Sequence, residues 1–384
     1  MYSRRHSLYS LLITAFLLAV PFGTVEAQHN VVEKVLVRQK SKTLRDGSLY
    51  KGDVMFMRPH GKGKLTFADG SVYQGMFENG KRQGRGVMSY ADSTRYEGEW
   101  HRGVRNGRGT LYFPDGRRYE GSFLMGDIHG FGSMFYANGD TYTGQWEHGE
   151  RHGTGVYIWC DDGSNYNGAW SHDHKEGKGR MFWLDGASYD GYWRNDVRHG
   201  EGTFLYANGD EYTGQWRNNV QHGKGEYRFF DGDVYVGEYA DGMRTGYGVY
   251  TRPNGSRYTG EYKDGAIHGR GRFEMASGEV YDGDWQQNKR HGKGICRWPN
   301  GDVYEGDWVD DLPHGKGNMV LADGTVYEGE YKQGVKDGYG TVIRTDSTRT
   351  EGTYVNNLQN GPFKEYDAQG NLVRTVNYVN GMMR

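Results

Sequence analysis

One interval dominates this sequence. Tyr-x-Gly recurs at Tyr50, Tyr73, Tyr96, Tyr119, Tyr142, Tyr166, Tyr189, Tyr212, Tyr235, Tyr258, Tyr281, Tyr304 and Tyr327, and every spacing is 23 residues except the 24 between Tyr142 and Tyr166. A chain that repeats a short unit this regularly builds its core between neighbouring units rather than by folding distant segments together. The extra residue falls around Asp161, Asp162 and Gly163. A turn absorbs an insertion, whereas one residue slipped within a strand would move every following side chain to the other face.

The unit itself reads as a β-hairpin. In YEGEWHRGVRNGRGTLYFPDG, which starts at Tyr96, the residues Tyr96, Gly98 and Trp100 alternate with Glu97 and Glu99. That is a period-two strand with rings on one face and charge on the other. Gly103 and Asn106-Gly107 carry turn chemistry, Thr110 to Phe113 form a second strand, and Pro114-Asp115-Gly116 leads into the next unit. The Gly after the Tyr leaves room for rings from neighbouring strands. The Gly-x-Gly pairs, such as Gly107/Gly109 and Gly200/Gly202, supply positive φ and close backbone approach. Seven residues after the Tyr the chain uses Gly, Asn or Asp almost throughout, the types that tolerate the left-handed region.

Composition agrees. Leu, Ile, Val and Phe make up roughly a sixth of the chain, a level that would suggest disorder. With 31 Tyr, 10 Trp and 63 Gly and a net charge of -2, rings instead replace aliphatic side chains as the buried surface. The expected fold class is all-β: an extended, curved antiparallel β-meander of tandem hairpins, rod-like as a solenoid is. Each hairpin advances ~9.6 Å, so about fourteen could reach ~130 Å.

The pattern Tyr96-Glu97-Gly98-Glu99-Trp100, followed by Gly103, Gly107, Gly109 and Asp115-Gly116, resembles the MORN (membrane occupation and recognition nexus) repeat. The resemblance runs from 50 to 349 as thirteen repeats. It lapses after that: the opening Tyr is lost at Thr350, Gly361-Pro362-Phe363 replaces Gly-x-Gly, and a weaker unit starts near Arg374. Residues 350–384 are therefore read as degenerate repeats that either cap the array or bind a second chain, and 28–49 as an N-terminal half-repeat that covers the first hairpin. MORN arrays accompany catalytic domains in some phosphatidylinositol phosphate kinases and histone methyltransferases, and they occur in junctophilins at membrane contacts. Lipid binding has been attributed to the family. Outside the repeats, no segment of this sequence has the length of a kinase or methyltransferase domain.

A single-layer sheet leaves one face without a second layer, so its rings either pack on one another or meet a partner. The candidate partner-binding residues are Trp100, Phe123, Trp146, Trp170, Trp193, Trp216, Trp285 and Trp308 along the aromatic face, with Tyr354, Tyr366 and Tyr378 in the terminal units. Acidic residues favour the outward strand positions, as at Glu97, Glu99, Asp282, Asp284, Glu305 and Asp307. Basic residues favour the turn and the second strand, as at Arg82, Arg85, Arg105, Arg108, Lys175, Lys178, Arg290, Lys293 and Lys316. Cross-strand ion pairing is the expected use, worth ~0.2–1 kcal/mol per pair.

Signals for catalysis fail one by one. Eight histidines (His60, His129, His152, His199, His222, His268, His291, His314) share one repeat position. A whole hairpin separates each from the next, so they cannot converge on one metal, and a turn-stabilising or hydrogen-bonding role is expected. His148 and His152 have zincin-like spacing but sit in a hairpin. Gly75 to Lys81 imitates a phosphate-binding loop until Arg82 stands where Ser or Thr belongs. Cys160 and Cys296 form neither a disulfide framework nor a zinc pattern. No catalytic residue, cofactor or metal is assigned, and the near-neutral charge gives no reason to expect nucleic acid. Basic Arg4-Arg5-His6, an apolar run from Leu8 to Val20 and Val25-Glu26-Ala27 read as a signal peptide over 1–27, with an uncleaved membrane anchor as the alternative. The expectation is an exported, periplasmic or secreted, non-enzymatic scaffold that binds protein partners through its aromatic face or terminal repeats, with self-association open. The alternative is a peripheral membrane protein that binds anionic phospholipid.

Overall fold

The computed structural model describes residues 38–384. The expected signal peptide and residues 28–37 of the N-terminal half-repeat lie outside the described residues. Among those described, every regular element is a strand, and 32 strands follow in chain order. They divide into two compact units, one ending at Asp161 and one beginning at Asp162, so the boundary falls in the turn that holds the inserted residue. Within each unit, successive strands pair antiparallel with their sequence neighbours, which makes each an open meander.

The hairpin of Arg95–His101 and Val104–Tyr112 shows how the sequence does this. Arg102 and Gly103 join the strands with φ of 50° and 95°. Positive φ at both central residues is the type I′ turn, whose twist matches that of the strands. The repeated Gly, Asn or Asp at the second of these positions follows from it. The link to the next hairpin is a three-residue loop. Phe113 N donates to Arg117 O at 2.9 Å, Gly116 N donates to Phe113 O at 3.1 Å, and the Asp115 carboxylate accepts from Arg117 N at 3.1 Å.

The two glycines of Gly-x-Gly do different jobs. Register runs Tyr96↔Leu111 and Gly98↔Gly109, then jumps to Trp100↔Arg105, so three residues of the second strand bulge opposite Glu99. Gly107 sits in that bulge at φ 93°. Gly109 is extended, and its reason for lacking a Cβ is steric: one built there would lie 2.5 Å from the Tyr96 hydroxyl oxygen. A Cβ on Gly98 would lie 2.5 Å from Gly109 Cα. Thus the Tyr ring lies flat on its own Gly–Gly cross-strand pair. This corrects the expectation that the Gly after the Tyr clears space for a neighbour's ring.

The buried phenol is satisfied locally. Tyr96 donates its hydroxyl to the Glu99 carbonyl at 2.9 Å, and all thirteen repeat tyrosines make the same bond to the residue three ahead, at 2.6–3.3 Å. The ring four positions on is clamped between two tyrosines. Trp100 stands edge-on to Tyr96 at 5.3 Å and to Tyr73 of the preceding repeat at 5.2 Å. Such T-shaped pairs add ~0.5–1.5 kcal/mol beyond area burial. The Trp100 indole N–H also donates to Gly86 O at 3.3 Å, which ties each repeat to the one before it.

The division of labour between the glycines is testable. Gly107→Ala should cost about 1–2 kcal/mol, the strain of a left-handed alanine. Gly109→Ala must displace the Tyr96 ring and should cost more, at the upper end of the ~1–3 kcal/mol range for overpacking or beyond it. Site-resolved hydrogen exchange should show the Gly109 variant loosening the hairpins around Tyr96 and Tyr119 while distant hairpins keep their protection. Equal effects from the two substitutions would contradict the assignment.

Candidate interaction surfaces

The meander has two faces with different chemistry. On the first, Trp100, Phe123, Trp146, Trp170, Trp193, Trp216, Trp285, Trp308 and Tyr354 are all buried, between 1% and 8% exposed. They are the core of the array, and what they contact is the tyrosine ladder. Tyr366 and Tyr378 are half-buried. Tyr366 donates to the Glu351 carboxylate at 2.6 Å, and Tyr378 stacks edge-on to Phe363 at 5.4 Å.

What covers this face is cationic, which sequence reasoning missed. Arg82 lies over the Trp100 ring at 4.3 Å, Lys175 over Trp193 at 4.4 Å, Arg198 over Trp216 at 4.5 Å and Arg290 over Trp308 at 4.5 Å. Each basic residue stands nine positions after its Tyr and reaches the ring of the next repeat. The arginines then hydrogen-bond the following turn: Arg82 to Gly103 O and Arg105 to Gly126 O, both at 2.6 Å. These side chains form a lid, so the ion-pair role expected for Arg82 and Arg105 is corrected to cation–π stacking. Arg290 does both, with Glu279 at 3.1 Å and Asp311 at 3.4 Å. The spacing of nine from each Tyr was visible in the sequence. Its meaning depends on the bulge, which brings that position opposite the Trp.

The second face carries the charge. The residue between the two glycines faces the residue three after the next repeat's Tyr: Arg85↔Glu99, Lys224↔Glu238, Arg270↔Asp284, Lys293↔Asp307 and Lys316↔Glu330. Lys293 Nζ meets Asp307 at 2.5 Å, while its own backbone N–H donates to the Asp284 carboxylate at 2.9 Å. The acid thus serves two repeats, capping the bulge of its own and pairing with the cation of the one before. Gln145 caps its bulge in the same way through Thr154 N at 2.7 Å. Because the glycine rows carry no side chains, these rows wall shallow grooves. One of about 740 Å³ is bordered by Arg85, Glu97, Glu99, Arg108, Glu120 and Phe131. Another of about 1050 Å³ lies among Arg270, Asp282, Lys293, Glu305, Lys316 and Glu330.

The histidine row lies beside these grooves. His152 stands opposite Gln145, and His314 stands opposite Asp307 and accepts from Gln333 N at 3.5 Å. The Nδ1 atoms of His199, His222 and His268 are enclosed and have no hydrogen-bond partner among the described residues. His148 lies 3.6 Å from Asp127 and His152 lies 3.4 Å from Glu147, so the two turn to separate carboxylates. Among the described residues no group of three or more His, Cys, Asp or Glu side chains could hold a metal ion. Cys160 is exposed. Cys296 is fully buried, and burial and the Glu279 carboxylate push its thiol up to about 12.

Burial also acts on the tyrosine ladder. It pushes the phenols of Tyr50, Tyr73, Tyr96 and Tyr235 up to about 12. In an unfolded chain they ionise near their ordinary value of about 10. The neutral form is the one the fold holds, so the stability tied to these groups is intact below pH ~10 and is lost as pH rises toward 12. Ultraviolet difference titration should therefore show the exposed tyrosines ionising first. The ladder should follow in a step that coincides with loss of the strand signal in circular dichroism. Ladder ionisation near pH 10 with the fold intact would contradict this packing.

Comparison with known proteins gives one family. The model described as the MORN repeat matches thirteen times, at 50–72, 73–95, 96–117, 119–141, 142–164, 166–188, 189–211, 212–234, 235–257, 258–280, 281–303, 304–326 and 327–349. No curated protein matches the chain. Among solved structures, the chain is similar to the TCP domain of Drosophila melanogaster SAS-4 in complex with a proline-rich motif of Ana2. The identity is 16% and the TM-score 0.28, over 46% of this chain and 90% of that one. It is also similar to the TCP10 domain of Danio rerio CPAP in complex with a peptide of STIL, at 9% identity and a TM-score of 0.19, over 89% of this chain and 100% of that one. A streptogramin B lyase matches at 11% identity and a TM-score of 0.13, over 82% and 89%.

Proposed function

The chain belongs to the MORN repeat family, and from that premise we propose that it is an exported, non-enzymatic scaffold that holds protein partners along its charged face. Repeat arrays of this family suggest a scaffold or interaction protein. The observation that favours the charged face is the contrast between the two surfaces. The rings are buried under cationic lids, whereas the charged pairs line open grooves at the glycine rows. Rows of alternating acid and base fix the register of a bound polypeptide and reject mismatched ones, which is how charge contributes specificity more than raw affinity. Export rests on the N-terminal sequence: a basic start, a short apolar core and small residues before Gln28.

The phospholipid alternative has less support. An anionic surface recruits clustered, unpaired cations. Here many basic residues of the repeat stack on rings, as Arg82 does, or face carboxylates, as Arg85 and Lys293 do, while Arg108, Lys178 and Lys62 face Ser122, Tyr192 and Met76.

The test is a charge reversal that leaves the aromatic core alone. A triple variant Arg270→Glu, Lys293→Glu, Lys316→Glu should keep the circular dichroism spectrum and lose the partners that the wild-type protein retains when purified from its native source. Recovery of the same partners by both proteins would sink the charged-face reading. In parallel, co-sedimentation with phosphatidylserine-containing vesicles should be weak. Strong binding that disappears with salt would favour the lipid alternative. The mature protein should begin at Gln28 by N-terminal sequencing.

A further inference from the structure

In the second unit the cationic lid is missing at Gln221, Ile267 and Pro313, and beside Ile267 the aromatic face opens into a cavity. Nine residues after Tyr258 stands Ile267, where the neighbouring repeats have Arg244 and Arg290. The ring it should cover is Trp285, at 8% the most exposed of the buried tryptophans. A cavity of about 400 Å³ lies at this point. Its walls are Tyr250, Tyr258, Tyr262, Ile267, Phe273 and Trp285.

The polar groups of the cavity share one sign. Arg244, Arg252 and Asn288 line it, and no carboxylate does. Arg244 differs from the other lid arginines. Arg82, Arg105, Arg198 and Arg290 each donate to the carbonyl of the following turn at 2.6–3.0 Å. Arg244 contacts the rings of Tyr235, Tyr250 and Tyr262 at 5.3–5.7 Å, and its guanidinium makes neither a hydrogen bond nor an ion pair with the described residues. Arg252 is held only loosely, 3.9 Å from Asp233, whose carboxylate also accepts the Tyr250 hydroxyl. The Asn288 carbonyl oxygen is taken by the Ile267 N–H at 2.8 Å, so its amide remains as a donor.

We propose that this cavity is a binding site for an aryl carboxylate, a planar ring joined by a short link to a carboxylate. The ring lies against Trp285, Phe273 and Ile267 in the space the missing lid would fill. The carboxylate takes the planar fork of Arg244, whose donors no protein acceptor occupies, with the Asn288 amide beside it. Two sources carry this chemistry: a free arylalkanoate, or the carboxy-terminal Trp or Phe of a polypeptide. The site lies on the opposite face of the sheet from the charged grooves, so it stands or falls independently of what they hold.

The experiment uses the full-length mature protein and titration calorimetry with defined probes. Indole-3-acetate should bind, and indole-3-acetamide, which keeps the ring and loses the charge, should bind at least about tenfold more weakly. Ile267→Arg restores the repeat's usual residue and should fill the cavity without disturbing the fold, lowering affinity by about tenfold or more. Arg244→Gln should lower it similarly and erase the preference for acid over amide. Arg198→Gln, at a niche that is already lidded, should leave binding unchanged. A short peptide ending in Trp, with a free or an amidated carboxyl terminus, distinguishes the sources. Tighter binding of the free-acid peptide than of indole-3-acetate assigns the site to a polypeptide terminus, and the reverse assigns it to a small acid. Absence of binding by every probe, equal binding of acid and amide, or indifference to Ile267→Arg in a folded protein would overturn the proposal.

Discussion

A tyrosine ring lying flat on a pair of facing glycines is the contact on which this architecture depends. It needs two glycines in register across a hairpin, because either Cβ would enter the ring or the opposite backbone. It places the phenol where its hydroxyl reaches a backbone carbonyl three residues ahead, so a polar group can be buried without a second layer. It also meets two rings edge-on, Trp100 of its own repeat and Phe123 of the next in the case of Tyr96. The rest of the motif supports this contact. The type I′ turn sets the twist, and the bulge opposite Glu99 carries the second strand past the Trp.

The same contact explains how a single sheet can do without a partner layer. Ordinary sheets bury one face against a helix or another sheet. Here the rings of adjacent repeats interlock edge to face, and in eight of the thirteen repeats a basic side chain nine residues after the Tyr closes over them. Lys and Arg are suited to this because their stems are apolar and their heads stay attracted to ring faces. Burial holds Arg82 and Lys336 below their ordinary pKa values, the cost of placing a cation against the core. One face is thus satisfied internally, and the charge stands on the other. An exception in the lid, such as Ile267, becomes a local opening rather than a defect of the whole array.

Much of this was legible in the sequence, because strict phase makes each position repeat its evidence. The hairpin, the turn residues and the in-phase glycines follow from Tyr96 to Gly116 alone. The 24-residue interval correctly located its insertion in the loop after Ile158. The functional surfaces were harder to read. Alternation says that Glu99 and Trp100 face opposite ways, but only the two-residue register shift reveals that Arg105 stands opposite Trp100 while Arg108 stands on the charged face. Both had looked like partners for carboxylates. The bulge is a property of pairing between strands, and composition at one position does not disclose it. The lid-free niche at Ile267 was invisible for the same reason: an isoleucine in a strand attracts no notice until the cation's role at that position is known.

The C-terminal units show that the array keeps the niche rather than the residue. At Thr350 the Tyr is gone, yet Gly352 remains, and a Cβ there would meet the Phe363 ring at 2.6 Å. Phe363 comes from the facing strand, at the position where every earlier repeat has the second glycine of Gly-x-Gly. It is fully buried and edge-on to Tyr354 at 5.2 Å, so the ladder continues with its ring supplied from the other side. The substitution cannot be repeated, because Val376 stands opposite Phe363 where a further Tyr would need a glycine. The row that reads Tyr96, Leu111, Tyr119 in a central repeat reads Thr350, Glu365, Arg374 here, and Glu365 pairs with Arg374 at 2.7 Å. An apolar row that ends in a solvent-facing ion pair offers no template for another aromatic hairpin. After residue 349 the motif thus exchanges a glycine for a ring and a ring for a charge.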